Sequence, residues 1–324
     1  MRKGTDGTGQ AGGHPARLSE LKWRQVTSER SSETLTSGIF TGLSTIDIVY
    51  SVEEFPKANM KVAARSQNVM VGGPATNAAI AFAHLGGKAT LVTSVGSNPV
   101  AKLVHDELRK FSIQLVDLNP EFEDVPVLSA VFIDGHGNRN VVSANATRIF
   151  SRSVEVDRSL SERVGIVLVD GHYMQACQAW AKAARTQGTQ VVLDGGSWKE
   201  GTEELLQSVQ TAICSADFLP PDCGSRDDVF EYLRSRGVAN IAITDGAKPV
   251  HFISGQSSGT LLVPPVEAVD TMGAGDIFHG AYCYFASTGH GFIESLAEAA
   301  KIASESCRYE GTREWMKHVE TEPA

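Results

Sequence analysis

No two cysteines in this chain stand at C-x-x-C spacing, and the five present (Cys177, Cys214, Cys223, Cys283 and Cys307) cannot all pair internally. Scattered thiols in a chain of this length read as reduced residues of a cytosolic protein. No apolar stretch approaches the ~20 residues needed to cross a bilayer. The N-terminus lacks the apolar core of a secretory signal, so the expectation is a cytoplasmic protein with no membrane partner. Positive charge is also in short supply: 29 Lys and Arg against 38 Asp and Glu leave a net charge of −9. An acidic surface argues against nucleic acid as a partner, although it permits a local basic pocket for a phosphate. Internal repeats are missing as well.

What is present is a 324-residue chain with 42% hydrophobic residues, 31 Gly and 12 Pro. That composition excludes a collagen-like, coiled-coil or wholly disordered protein. The length suits one large α/β unit with a small appendage. Residues 1–37 stand apart: Gly4, Gly7, Gly9, Gly12 and Gly13 lie among polar residues, and large apolar side chains are few. Such a segment buries too little surface to offset its ordering entropy, so it is expected to be a flexible tail, with Leu18–Trp23 at most a short helical turn.

From Gly38 onward, β-rich apolar runs alternate with helical patterns. Ile39–Ile46 reads as a strand, Ala75–Leu85 as a small-residue helix stopped by Gly86-Gly87, and Ala89–Val95 as a strand. Val100–Phe111 reads as an amphipathic helix with Leu103, Val104, Leu108 and Phe111 on one side. Ile166–Val169, Gln190–Leu193 and Asn240–Thr244 read as buried strands, with helices near 175–187 and 227–236. Short, nearly continuous apolar strands alternating with helices imply a parallel sheet covered on both faces. Segments 48–71 and 127–144 break this rhythm with mixed polar and apolar residues, the second carrying a hairpin tip at Asp134–Asn138. They are expected to be antiparallel ribbons of a small projecting sheet, suited to a lid or a dimer surface.

The most informative stretch is Val269-Asp270-Thr271-Met272-Gly273-Ala274-Gly275-Asp276-Ile277-Phe278-His279-Gly280. Three small residues permit a tight turn, and the pattern that follows is helical to about Ser287. A helix starting there aims free N–H groups and the positive end of its dipole at whatever lies above, an arrangement suited to a phosphoryl group. Asp276 is then placed to accept a proton from an attacking hydroxyl. By itself, Gly-Ala-Gly-Asp reads equally as a tight turn capped by an Asp.

The run Asp270-Thr271-x-Gly273-Ala274-Gly275-Asp276 resembles the C-terminal motif of the PfkB/ribokinase family of carbohydrate kinases. Gly72-Gly73-Pro74-Ala75-Thr76-Asn77-Ala78 resembles a second motif of that family, and Gly42-Leu43-Ser44-Thr45-Ile46-Asp47 its opening. The similarity runs in order from about Gly38 to Gly311, and two separated motifs weigh far more than one. The resemblance implies a ribokinase-like, Rossmann-type α/β sandwich over residues 38–320, with a central, mostly parallel sheet and a small β-sheet lid. It implies ATP-dependent phosphorylation of a hydroxymethyl group, with Asp276 as catalytic base and the Gly273, Ala274 and Gly275 backbone as anion hole. Asp47, Gly72, Gly73 and Asn77 would hold sugar hydroxyls, and Arg139 would bring a permanent charge from the lid. Thr244 and Gly246 would lie near the nucleotide, and Ala303 and Cys307 would border the adenine.

Two departures from the family pattern stand out. Pro249 occupies a position where relatives commonly carry Gly, and Ala216–Asp222 lacks the family's Asn-x-x-Glu, with Asp222 read either as a substitute acid or as an exposed turn residue. Mg²⁺ is still expected beside ATP, held mostly by nucleotide and water, with no protein ligand assigned. Asp276-Ile277-Phe278-His279-Gly280 and Val192–Gly195 resemble ketohexokinase-like and sulfofructose-kinase-like branches, which makes a ketose the leading substrate class. His172 and Lys61 read either as substrate contacts or as ordinary loop residues. Two other readings stay open: a nucleoside kinase of the same family, and a catalytically silent sugar- or nucleotide-binding protein. The unpaired edges of the lid ribbons imply a homodimer.

Overall fold

The computed structural model describes residues 36–319 except 137, 145–153, 158 and 160–163; the tail expected over residues 1–37 lies almost entirely outside them. The first strand, β1 (Ser37–Thr41), is followed by β2 (Thr45–Ser51) and β3 (Ser66–Gly72). Helix α1 (Pro74–His84), β4 (Lys88–Thr93), α2 (Lys102–Lys110) and β5 (Gln114–Asp117) come next. The strands β6 (Leu128–Ile133) and β7 (Arg139–Ser143) then precede β8 (Ile166–Val169), α3 (Met174–Thr186), β9 (Gln190–Gly195) and β10 (Thr211–Ser215). The chain continues through α4 (Arg226–Ser235), β11 (Asn240–Asp245), β12 (Lys248–Ser254) and β13 (Ser257–Leu261), and closes with α5 (Ala274–Ser287) and α6 (Phe292–Ser306).

Nine strands form one sheet in the order β13-β12-β11-β10-β9-β8-β1-β4-β5. All neighbours are parallel except the β11–β12 and β12–β13 pairs, which close one edge as an antiparallel meander. The central strands are buried on both faces, so their sequences are unbroken apolar runs such as Ile166–Val169. Two apolar layers cover the sheet. One, built from α1, α5 and α6, includes Phe40, Ile80, Phe82 and Tyr282; the other, under α3 and α4, includes Ile39, Val167, Trp180 and Leu233. Among the described residues no helix is long and apolar enough to cross a membrane.

Four expectations need correcting. Ile39–Ile46 is not one strand: the chain leaves the large sheet after Thr41, turns where the Leu43 amide donates to Asp170 Oδ2 at 2.8 Å, and enters a second sheet at Thr45. The ribbon expected over 48–71 is paired only at its ends, because residues 52–65 form the connection between β2 and β3. Leu103 does not join Val104 and Leu108 in the core; it is 45% exposed, because each helical residue turns the face by about 100° and Leu103 falls off the i, i+4 face that Val104 and Leu108 share. The β12–β13 hairpin was not foreseen at all, since Gly255-Gln256 and the polar run Ser257–Thr260 hide an edge strand.

The second sheet has the order β3-β2-β6-β7, and the two ribbons join through the parallel β2–β6 pair. Register places Asp47 between Met70 on β3 and Ser129 on β6. Side chains alternate along a strand, so the Asp47 row and the Ile48, Val69, Ala130 and Val142 row face opposite sides of this sheet.

Candidate active site

The site forms where α1, α5 and the small sheet converge. Gly280 on α5 sits against α1 so closely that a Cβ there would stand 2.3 Å from the Ala78 carbonyl oxygen. This approach carries Asn77, in the first turns of α1, to Asp276, in the first turn of α5. The Asn77 amide nitrogen Nδ2 donates to Asp276 Oδ2 at 2.7 Å, joining residues 199 positions apart in sequence.

Gly273 precedes α5 with φ 68, a left-handed conformation that favours glycine, and a Cβ there would meet Thr312 Cγ2 at 2.7 Å. Asp270 secures this turn: its Oδ1 accepts from the Met272 amide and its Oδ2 from the Gly311 amide, each at 2.9 Å. The Ala274 amide donates weakly to the Thr271 carbonyl at 3.3 Å. Helix geometry leaves the Gly275 and Asp276 amides without intrahelical acceptors. Of the expected anion hole, these two are therefore the donors best placed for an incoming oxyanion.

Opposite stands Asp47, hydrogen-bonded to Thr45 and Ser129, with its carboxyl held above the ordinary range mainly by burial. Gly72 makes room for it, since a Cβ there would lie 2.1 Å from Asp47 Oδ2. Gly73 likewise clears the Leu43 carbonyl oxygen and caps α1. Sequence reading missed the residue that ties these parts together, Arg313. Its Nη1 donates to Asn77 Oδ1 at 2.9 Å, Nη2 to the Val71 carbonyl at 3.0 Å and Nε to Glu107 Oε1 at 3.1 Å. No motif marked it; only the fold brings residue 313 to residues 71, 77 and 107.

Below Asp276, itself half-buried, lie two buried carboxylates. Asp170 accepts from the Leu43, Ala75 and His172 amides, and its carboxyl is held low: burial pushes upward, but His172 and the amides outweigh it. Asp194 is pushed up, chiefly by burial, with His279 opposing. His279 Nδ1 is 2.7 Å from the Gly275 carbonyl and 3.5 Å from Asp194 Oδ2, while Nε2 is 3.1 Å from the Ile213 carbonyl. Asp276 responds to this company: burial, then the Asp194 charge, raises its pKa to about 7, against the Asn77 hydrogen bond and His279. A carboxylate with that pKa is matched to proton transfer near neutrality.

Arg139, at the start of β7, reaches from the small sheet to the turn before α5 and donates to Thr271 Oγ1 at 3.0 Å. Thr244, next to last in β11, has its hydroxyl on the Cys214 carbonyl at 3.3 Å, and Gly246 is exposed in the turn that follows. Ala303 is buried in α6, while the Cys307 carbonyl accepts from the Val269 amide at 2.8 Å and so borders the Asp270 turn. Lys61 and Asp222 are exposed, Asp222 in a left-handed turn with φ 65. His172 faces inward onto Asp170 rather than toward solvent, with Nδ1 3.2 Å from Oδ1. A separate cavity of about 330 Å³ lies beside Ser215, Asp245 and Lys248, away from Asp276. All five cysteines are free, and no group of three or more His, Cys, Asp or Glu among the described residues could hold a metal ion.

Comparison with known proteins bears on the family and the fold. The family model described as pfkB family carbohydrate kinase matches residues 36–318. A deoxyribokinase from Salmonella typhi is 22% identical over 306 residues, covering 86% of this chain and 95% of its own. A ketohexokinase from Mus musculus is 21% identical over 291 residues, covering 83% and 95%. Among solved structures, the Arabidopsis thaliana ribokinase complexed with ribose and ATP superposes with a TM-score of 0.73 at 21% identity, covering 86% of this chain and 94% of that one.

Proposed function

The chain belongs to the pfkB family of carbohydrate kinases, and we propose that it phosphorylates a hydroxymethyl group of a ketose or related sugar at the expense of ATP. The observation that carries this reading is the pairing of Asp276, with its carboxyl raised to about 7, and the first-turn amides of α5 beside it. Asp276 takes the proton of the attacking hydroxyl as the bond to phosphorus forms. The Gly275 and Asp276 amides, with the positive end of the helix, offset charge developing on the phosphoryl oxygens. Asp47 and the free valences of Asn77 hold the other hydroxyls. The small sheet, with Arg139 at its rim, excludes water that would otherwise compete as acceptor.

Amide donors and a guanidinium at one turn suit phosphate oxygens, so the residues present fit the phosphate end of ATP. Thr244, Gly246, Ala303 and Cys307 would hold its nucleoside end. When bound, the nucleotide supplies the transferable group and Mg²⁺ the countercharge on its oxygens. The outer face of the small sheet, with Val69 and Val142 54% and 67% exposed, supports a homodimer through the lid.

A coupled ATP-consumption assay across ketoses, aldoses and nucleosides tests the reading. Highest kcat/KM on a ketose is expected. Preference for a nucleoside would move the protein to the nucleoside-kinase reading, and no turnover on any acceptor would leave a binding protein.

A further inference from the structure

We propose that Arg313 is a positioning residue which fixes the sense of the Asn77 side-chain amide and, through it, the direction and charge of the Asp276 carboxylate. The role rests on the kinase reading above, but the geometry behind it does not. An asparagine amide has two ends of nearly equal size, and a half-turn exchanges them. With Nδ2 toward Asp276 it donates to a carboxylate at 2.7 Å; turned over, it would present a carbonyl oxygen to that carboxylate. Nothing in Asn77 itself chooses between the two.

Arg313 chooses. A guanidinium carries donors only, and its Nη1 lies 2.9 Å from Asn77 Oδ1, a place where the amide nitrogen would find no acceptor. The guanidinium cannot swing away to relieve such a clash. Nε is held by Glu107 Oε1 at 3.1 Å, Nη2 by the Val71 carbonyl at 3.0 Å, and Nη1 also by Thr312 Oγ1 at 2.8 Å. The loop that carries it is secured in turn by the Gly311 amide on Asp270. The result is a chain that donates outward from Arg313, to Glu107 on one side and through the Asn77 amide to Asp276 on the other. It also limits the substrate role of Asn77, whose amide keeps one hydrogen and one lone pair for a sugar.

The test reads Asp276 directly. Its carboxyl ¹³C resonance is titrated in the full-length protein without ligands, for wild type, Arg313→Met, Asn77→Ala and the double variant. The charged and titratable groups around it, Asp170, Asp194, His279 and Asp47, are left in place. Losing the oriented donor disfavours the charged form, so the Asp276 midpoint is expected to rise by about one pH unit in each single variant. If Arg313 acts through Asn77, the double variant rises no further than Asn77→Ala alone.

Turnover with D-fructose at pH 7 should fall about fivefold in Arg313→Met and recover as pH rises, with KM for ATP unchanged. Additive midpoint shifts in the double variant, or an unmoved midpoint in Arg313→Met, would overturn the proposal. Should Arg313→Met fail to fold, Glu107→Gln decides: a smaller rise in the same direction supports the chain, and none refutes it. An Asp276→Asn control that keeps its turnover would defeat the base assignment while leaving the titration result standing, so the two failures are separable.

Discussion

Replacing Asp276 by Asn should abolish most turnover and at the same time stabilise the protein, increasingly so as pH rises. The carboxyl titrates near 3.8 in an unfolded chain and at about 7 in the fold. Because the folded pKa is the higher, the folded state binds the proton more tightly. The contribution to stability is therefore full below pH 4, and is lost progressively as pH rises through 7. Each pH unit of displacement corresponds to about 1.4 kcal/mol, which sets an upper bound of about 4 kcal/mol above pH 8. Solvent reaches this half-buried carboxyl and brings the expected value to about 2 kcal/mol.

Asparagine carries no such penalty and keeps the shape of the site. For a domain of this size about 2 kcal/mol corresponds to roughly 4–8 °C in Tm. Calorimetric melting of wild type and Asp276→Asn between pH 5 and 8.5 should show the variant's advantage widening across that range. A coupled assay should show kcat reduced by about 10²–10⁴, the worth of a positioned general base. An advantage independent of pH would mean that Asp276 is not held protonated by its surroundings. Turnover within tenfold of wild type would mean that the proton goes elsewhere.

Three further outcomes follow from the same geometry. Gly72→Ala puts a Cβ 2.1 Å from Asp47 Oδ2 and should raise KM for the sugar severalfold while KM for ATP stays put; a parallel rise in both would place Asp47 outside the sugar pocket. Gly280→Ala forces α5 away from the Ala78 carbonyl and should cost about 1–3 kcal/mol in a urea melt, with a fall in kcat as Asn77 and Asp276 separate. Arg139→Ala removes an exposed hydrogen bond to Thr271, so Tm should move by less than 1 °C or so while kcat/KM drops about tenfold or more; an unchanged kcat/KM would make Arg139 a bystander.

Much of this arrangement could be read along the chain, but not all of it. The parallel core was legible because its strands are buried on both faces and therefore written as solid apolar runs. The exposed β12–β13 edge was not, because a polar edge strand has the composition of a loop. Leu103 misled for a related reason: it is apolar, but it lies beside the i, i+4 face of Val104 and Leu108 and not on it. Asp276, Asn77 and Asp47 were found because each sits in a local motif whose glycines need close backbone approach. Glu107 and Arg313 sit in no such motif.

The sequence alone determined where parts of the chain could approach one another most closely: the glycines at 72, 73, 273 and 280 have no Cβ, and that is a property of the residue wherever it is placed. It also determined that an acid follows the turn, and that the turn opens a helix. Tertiary structure decided how tightly that acid holds its proton. Its pKa of about 7 arises from burial and from Asp194, and its direction from an amide 199 residues away. Electrostatic free energy depends on distance and on exclusion of water, and neither exists until the chain has folded.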